Sequence, residues 1–118
     1  MSLQHEIVRD LMEIEDDLNN PYFSWNGATY FFIPSISDFR RDLDTGGFRV
    51  YRLLTATVPL FNIDDNQNLT ALFNTGTPQP QQIIMCSVDG NKYRIESAKF
   101  DPTNSYLRII AHSTTSLK

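Results

Sequence analysis

The sequence predicts a mainly β protein of the α+β class: a small antiparallel β-barrel or sandwich with an N-terminal helix and a long inter-strand loop. Three observations carry that expectation. The last third, residues 82–112, alternates apolar and polar side chains in three runs separated by turn residues, which is the pattern of a three-stranded meander. A hairpin signal lies at 22–33, where Asn26-Gly27 stands between aromatic runs. Sustained helical periodicity occurs at the N-terminus, over residues 3–18.

Taken in order, the helix comes first. Leu3, Ile7, Leu11, Ile14 and Leu18 recur at spacings of four, four, three and four, so they share one helical face, which Val8 and Met12 widen. Asn19-Asn20-Pro21 ends it, because the residue before proline is pushed out of helical geometry. The opposite face carries Glu6, Asp10, Glu13, Glu15, Asp16 and Asp17 with only Arg9 in balance, so it is expected to meet water or a basic partner. Strands near 22–25 and 28–33 follow. Residues 35–47 show neither period and, at thirteen residues, exceed ordinary connections, which predicts a long loop. Residues 48–61 read as one long strand whose two sides are both partly apolar. The run Asp64-Asp65-Asn66-Gln67-Asn68 leads into a short predicted helix at 69–73, capped by one of those polar side chains. In the meander, Asp89-Gly90 predicts a two-residue primed turn, and Asp101-Pro102-Thr103-Asn104 a turn in which the Asp side chain accepts a backbone hydrogen bond two residues on.

At 118 residues the chain is expected to form a single domain, 1–118, because two cores of half that size would each bury too little surface. A content of 41% hydrophobic and 20% charged residues is that of a globular chain and excludes global disorder. The apolar runs are too short for a membrane-spanning helix, and the N-terminus lacks a basic segment followed by an apolar one, so synthesis in the cytoplasm is expected. The match Asn68-Leu69-Thr70 to a glycosylation acceptor is then accidental. A net charge of −4 repels a phosphate backbone at long range and disfavours general nucleic-acid binding. The single cysteine, Cys86, has no partner for an intramolecular disulfide and falls in the alternation Ile84-Cys86-Val88, as a small buried side chain does.

Catalytic chemistry finds little support. His5 belongs to the helix and His112 to the chain's end, no serine sits in a nucleophile elbow, and an enzyme is not expected. Glu13 and Asp17 stand one helical turn apart, as a solvated polar face also places them. Asp64, Asn66 and Asn68 alternate like the first ligands of a calcium loop, but Leu69 replaces the glycine and Thr75 the closing glutamate that such a loop needs. No phosphate-binding loop, dinucleotide fingerprint or zinc ligand set is present, and no cofactor or metal is implied. The basic concentration lies in and beside the predicted loop: Arg40 and Arg41, with Arg49 and Arg52 close by. A solvated loop accounts for this concentration; the sharper reading makes Phe39, Arg40, Arg41, Asp42 and Arg49 the candidate site, an intersubunit contact in which Phe39 anchors and the arginines meet a neighbour's acidic residues 13–17. Such a contact is heterologous, the type that closes rings.

Three features together resemble the small head-tail joining proteins of tailed bacteriophages and prophages, the head-completion or stopper type. They are the hairpin WNGATYFFIPS, the Gly-Gly-ended loop before a strand, and the closing pattern DGNKYRIESAKFDPTNSYLRIIAHS. The resemblance spans most of residues 20–113 and rests on layout and on strings such as Leu107-Arg108-Ile109-Ile110, not on an active-site motif. It implies a small β-barrel with a helix, assembled as a ring beneath the portal and adaptor proteins of a DNA-filled head and offering a dock to tail proteins. It also implies a virion location after synthesis in the host cytoplasm, with no membrane. Residues 35–47 correspond to a loop that projects toward the channel in such rings, and an acidic chain suits a lumen through which DNA passes without specific binding. The acidic N-terminal helix departs from the family's common pattern. Two alternatives are a tail-completion or tail-terminator ring protein and a stand-alone small-ligand-binding barrel, the latter expected to be monomeric with a concave apolar pocket.

Overall fold

The computed structural model describes residues 3–42, 44–74 and 76–114, with the Arg41 side chain outside the described set. Helix α1 (Leu3–Asp17) is followed by strands β1 (Tyr22–Trp25), β2 (Ala28–Phe31), β3 (Ile33–Asp42), β4 (Phe48–Pro59), β5 (Phe61–Ile63), β6 (Leu69–Ala71), β7 (Ile83–Cys86), β8 (Lys92–Phe100) and β9 (Tyr106–Ser113). Seven strands form one antiparallel sheet in the order β2-β1-β7-β8-β9-β4-β3, and β5 and β6 make a separate small hairpin.

The two edges of this sheet, β2 and β3, are consecutive in the chain with one residue, Phe32, between them. Two trans peptide links span at most about 7.6 Å, so the sheet must curl until its edges meet at that corner. Residues 28–42 thus act as one strand bent at Phe32, whose first part pairs with β1 and whose second part pairs with β4. Phe32 is fully buried, and its N–H donates to the Pro21 carbonyl at 3.1 Å. This is the predicted mainly β architecture, a curled, barrel-like antiparallel sheet with one N-terminal helix.

Alternation fills the inside. Leu54, Ala56 and Val58 of β4, Tyr93 and Ile95 of β8, Leu107, Ile109 and Ala111 of β9, and Phe23, Ile84 and Cys86 are buried together with Phe32. Burial pushes the Cys86 thiol above its ordinary pKa, which keeps it protonated and chemically quiet.

The turns divide into two as expected, at Asn26-Gly27 and at Asp101, and one that differs. Trp25 pairs with Ala28 across Asn26 (φ 52°) and Gly27 (φ 82°), the positive dihedrals of a primed two-residue turn. The Asp89-Gly90 turn is longer than predicted: Met85 pairs with Lys92, the Cys86 N–H donates to the Asn91 carbonyl at 3.0 Å and the Gly90 N–H closes on the Cys86 carbonyl at 2.9 Å, so residues 87–90 bulge out between the strands. Asp101 accepts hydrogen bonds from the backbone N–H groups of Thr103 (3.1 Å), Ser105 (2.6 Å) and Tyr106 (2.9 Å), and so holds its turn from inside.

Three further expectations need correction. Residues 35–47 are mostly strand: β3 pairs with β4 from Ile33↔Thr57 to Asp42↔Phe48, and the connection is only the short tip beyond Asp42. The segment 69–73 begins with strand β6 rather than a helix, because Leu69 pairs with Ile63 and Ala71 with Phe61. The helix buries Val8 and Glu15, with Leu11 and Met12 half-buried, while Leu3, Ile14 and Leu18 are exposed. α1 rests on β5 and β3, a narrow footing that takes one edge of the apolar stripe and leaves the rest outside. It ends where Asn19 and Asn20 turn left-handed (φ 62° and 53°) and the Asn20 N–H caps the Glu15 carbonyl at 2.8 Å.

Candidate functional site

All five candidate residues lie on one feature, the outer half of the β3–β4 hairpin. β9 pairs with β4 only from Leu53 to Pro59, so among the described residues the rungs Asp38↔Arg52, Phe39↔Tyr51, Arg40↔Val50, Arg41↔Arg49 and Asp42↔Phe48 pair with no third strand. Five rungs project a two-stranded arm about 17 Å beyond the rest of the sheet, in a molecule measuring 58 × 26 × 26 Å. Gly46 and Gly47, at φ 89° and 80°, shape its tip.

Paired residues share a face in an antiparallel ladder, and the arm has two distinct ones. Phe39 and Tyr51 stack with ring centroids 5.7 Å apart on the outer face, where register also places Arg49. The other face continues the inner side of the sheet: the Arg40 guanidinium lies 4.3 Å from the Phe48 ring centroid and 3.0 Å from Asp42. Arg49 is exposed, and the Arg41 side chain lies outside the described residues. The sequence therefore brings Phe39, Arg40, Asp42 and Arg49 onto one arm, split between its two faces.

The base of the arm is locked by a network that sequence reasoning did not resolve. The Arg52 guanidinium donates to Asp89 at 2.9 Å and stands 3.8 Å from Asp38, while the Arg52 N–H donates to the Ser113 hydroxyl at 3.0 Å. The Tyr93 hydroxyl donates to the same Asp89 carboxylate, and the Asn91 N–H donates to it at 3.0 Å. Burial pushes the Asp89 carboxyl up, but the hydrogen bonds from Tyr93, Asn91 and Arg52 outweigh it and hold its pKa below the usual carboxylate value. Burial and the donation to Asp89 push the Tyr93 phenol upward. Asp89, expected to serve the turn alone, thus joins turn, core and arm. On the outer side, a cleft of about 440 Å³ between arm and sheet is lined by Phe39, Tyr51, Arg94, Glu96 and His112. Glu96 is the extra residue of a β-bulge, which turns its carboxylate to within 2.8 Å of His112 Nδ1.

At the other functional candidate, the acidic face of α1, Glu13 and Asp16 line a cleft of about 480 Å³ with Asp64 and Asp65 from the β5–β6 turn. The His5 ring is 3.0 Å from the Gln67 carbonyl and Arg9 donates to the Gln67 side chain at 3.0 Å, which ties the helix to that turn. The acidic helix and the acidic-amide run, separate in sequence, become one negative surface. Beneath the helix, Glu15 is 6% exposed, its Oε2 meets no hydrogen-bond partner, and burial raises its pKa to about 7. Among the described residues, no group of three His, Cys, Asp or Glu side chains is placed to hold a metal ion.

The geometry builds a projecting arm that carries aromatic and basic side chains at one place and an acidic cleft at another. Comparison with protein-family models, curated proteins and solved structures finds no match.

Proposed function

We propose that this chain is a structural subunit of a tailed phage or prophage particle, one of a ring at the head-tail joint that closes the head and docks the tail. The observation that carries this reading is the pairing of two unlike surfaces on one small protein. A ring requires a heterologous contact, in which one patch of a subunit meets a different patch of its neighbour. The outer face of the arm offers stacked Phe39 and Tyr51 with Arg49, and the α1/β5–β6 cleft offers Glu13, Asp16, Asp64 and Asp65. Exposed Tyr22, Phe31, Ile83 and Met85 on the outer side of β1, β2 and β7 supply further apolar surface for a neighbour above or below. The resemblance in the hairpin and meander strings supports the same assignment. A tail-completion ring would use the same two surfaces on the tail side of the joint.

The test is mass spectrometry, with copy-number quantitation, of particles purified from an induced culture of the source organism. Presence at a constant ring-like number of copies per particle supports the joint assignment, and microscopy of the same particles then fixes the level in the stack. Intact tailed particles that lack the chain, with the chain found in the soluble lysate, overturn it.

A further inference from the structure

We propose that the cavity beneath the C-terminal end of α1 binds a small organic cation, a primary ammonium or guanidinium group on a short apolar stem, with the Glu15 carboxylate as its counter-ion. The proposal stands apart from the ring assignment, since it rests on a different part of the molecule. The cavity measures about 220 Å³ and is walled by Met12, Tyr30, Pro59, Phe61 and Leu72, with Glu15 among them. Asn62 and Phe31 also line it and are exposed, so it opens to the surface.

Three features point to a cation. The Glu15 side chain is withdrawn from water at 6% exposure, and its Oε2 has no donor within reach. A buried carboxylate left so is among the more costly groups a fold can hold, and a leucine or methionine at this position would pack against the same apolar wall without that cost. The carboxylate also lies in the last turn of α1, where the helix end is itself negative and Glu13, Asp16 and Asp17 add to it. None of the residues lining the cavity carries a positive charge. The site therefore sets one carboxyl group, ionised above a raised pKa of about 7, among apolar and aromatic walls. The Tyr30 and Phe61 rings suit an ammonium or guanidinium group, whose charge is attracted to aromatic faces. The apolar wall of Met12, Pro59 and Leu72 suits a short hydrocarbon stem.

Two sources present this chemistry: a free amine, and the side-chain end of a lysine or arginine from another copy of the chain. The experiment separates them. Isotope-labelled protein is titrated with propylammonium chloride, with 1-propanol as the neutral isostere and sodium chloride at matched ionic strength, while amide shifts are followed. The expected result is saturable shifts in α1, β2 and β5 with propylammonium, and affinity at least about tenfold weaker in the Glu15→Gln variant, as loss of a charge-assisted hydrogen bond implies. A thermal melt of Glu15→Gln confirms that this variant is folded. Sedimentation at several protein concentrations then identifies the source. Self-association that propylammonium reverses marks a neighbour's basic side chain, and binding without any change in mass marks a free amine. Absence of saturable shifts, equal binding of propanol, or unchanged affinity in Glu15→Gln overturns the proposal.

Discussion

Asp89 and Glu15 are two acids withdrawn from water in one small protein, and they sit in opposite circumstances. Asp89 lies where strand, turn and arm converge and receives hydrogen bonds from Arg52, Tyr93 and Asn91, so its charge is held and its pKa is lowered. Glu15 lies under a helix end with no donor, so burial acts alone and its pKa rises to about 7. Desolvation is present at both sites; what differs is whether partners answer it. The first arrangement binds elements together, and the second leaves a buried acid whose proton is held more tightly.

The sharpest way to break the contrast is to delete the answered acid. Asp89→Ala leaves Tyr93 and Arg52 without their acceptor and is expected to lower unfolding stability by about 3 kcal/mol, measured by denaturant titration. Because the folded pKa of Asp89 lies below its ordinary value of 3.8, its contribution is complete above that pH and fades as pH falls through the folded value. Glu15 has the opposite sign. A folded pKa of about 7 against an ordinary 4.5 means that the native state holds the extra proton, so stability is greatest below pH 4.5 and declines as pH rises to 7. Glu15→Gln removes that decline: its advantage over the parent protein should grow between those pH values to at most about 3 kcal/mol and stay constant above them.

Asp101 is an intermediate case. Burial raises its pKa, but the Thr103 hydroxyl and the backbone N–H groups of Tyr106, Thr103 and Ser105 overcome that and lower it. It holds one turn and no second element, so Asp101→Ala should cost about 1–2 kcal/mol in thermal unfolding. The smallest stability effect is expected on the arm. Phe39→Ala removes one half-buried ring from a two-stranded segment and should change unfolding stability by less than about 1 kcal/mol, whereas the proposed ring predicts a far larger loss of assembly, followed by light scattering.

The sheet's interior strands were legible because each has one wet and one dry face: Ile84-Cys86, Tyr93-Ile95 and Leu107-Ile109-Ala111 alternate as burial demands. The arm was not. Asp38, Phe39 and Arg40 lie on a ribbon with solvent on both sides, so nothing imposes the two-residue rhythm, and a strand looks like a loop. The helix stripe misled for a related reason, since the periodicity of Leu3, Ile7, Leu11, Ile14 and Leu18 reports which residues share a face but not how wide the surface beneath them is. Candidate residues of the arm were found through their charge and aromatic character. Arg52 was noted only as a neighbour in the basic run, and its partner Asp89, like the isolation of Glu15, depends on contacts between distant segments that no spacing encodes.

Phe32 has a consequence for how the molecule is put together. Because β2 and β3 behave as one strand bent at that residue, residues 22–59 form a three-stranded meander of their own, and residues 83–113 form another. The two meanders meet along just two seams, β1 with β7 and β4 with β9. The described residues between 73 and 80 take part in no strand pairing. A chain severed there keeps every rung of each meander within one fragment, so the protein is in effect a pair of complementary halves, and co-expressed fragments divided at that connection have all the strand partners they need to reassemble the whole.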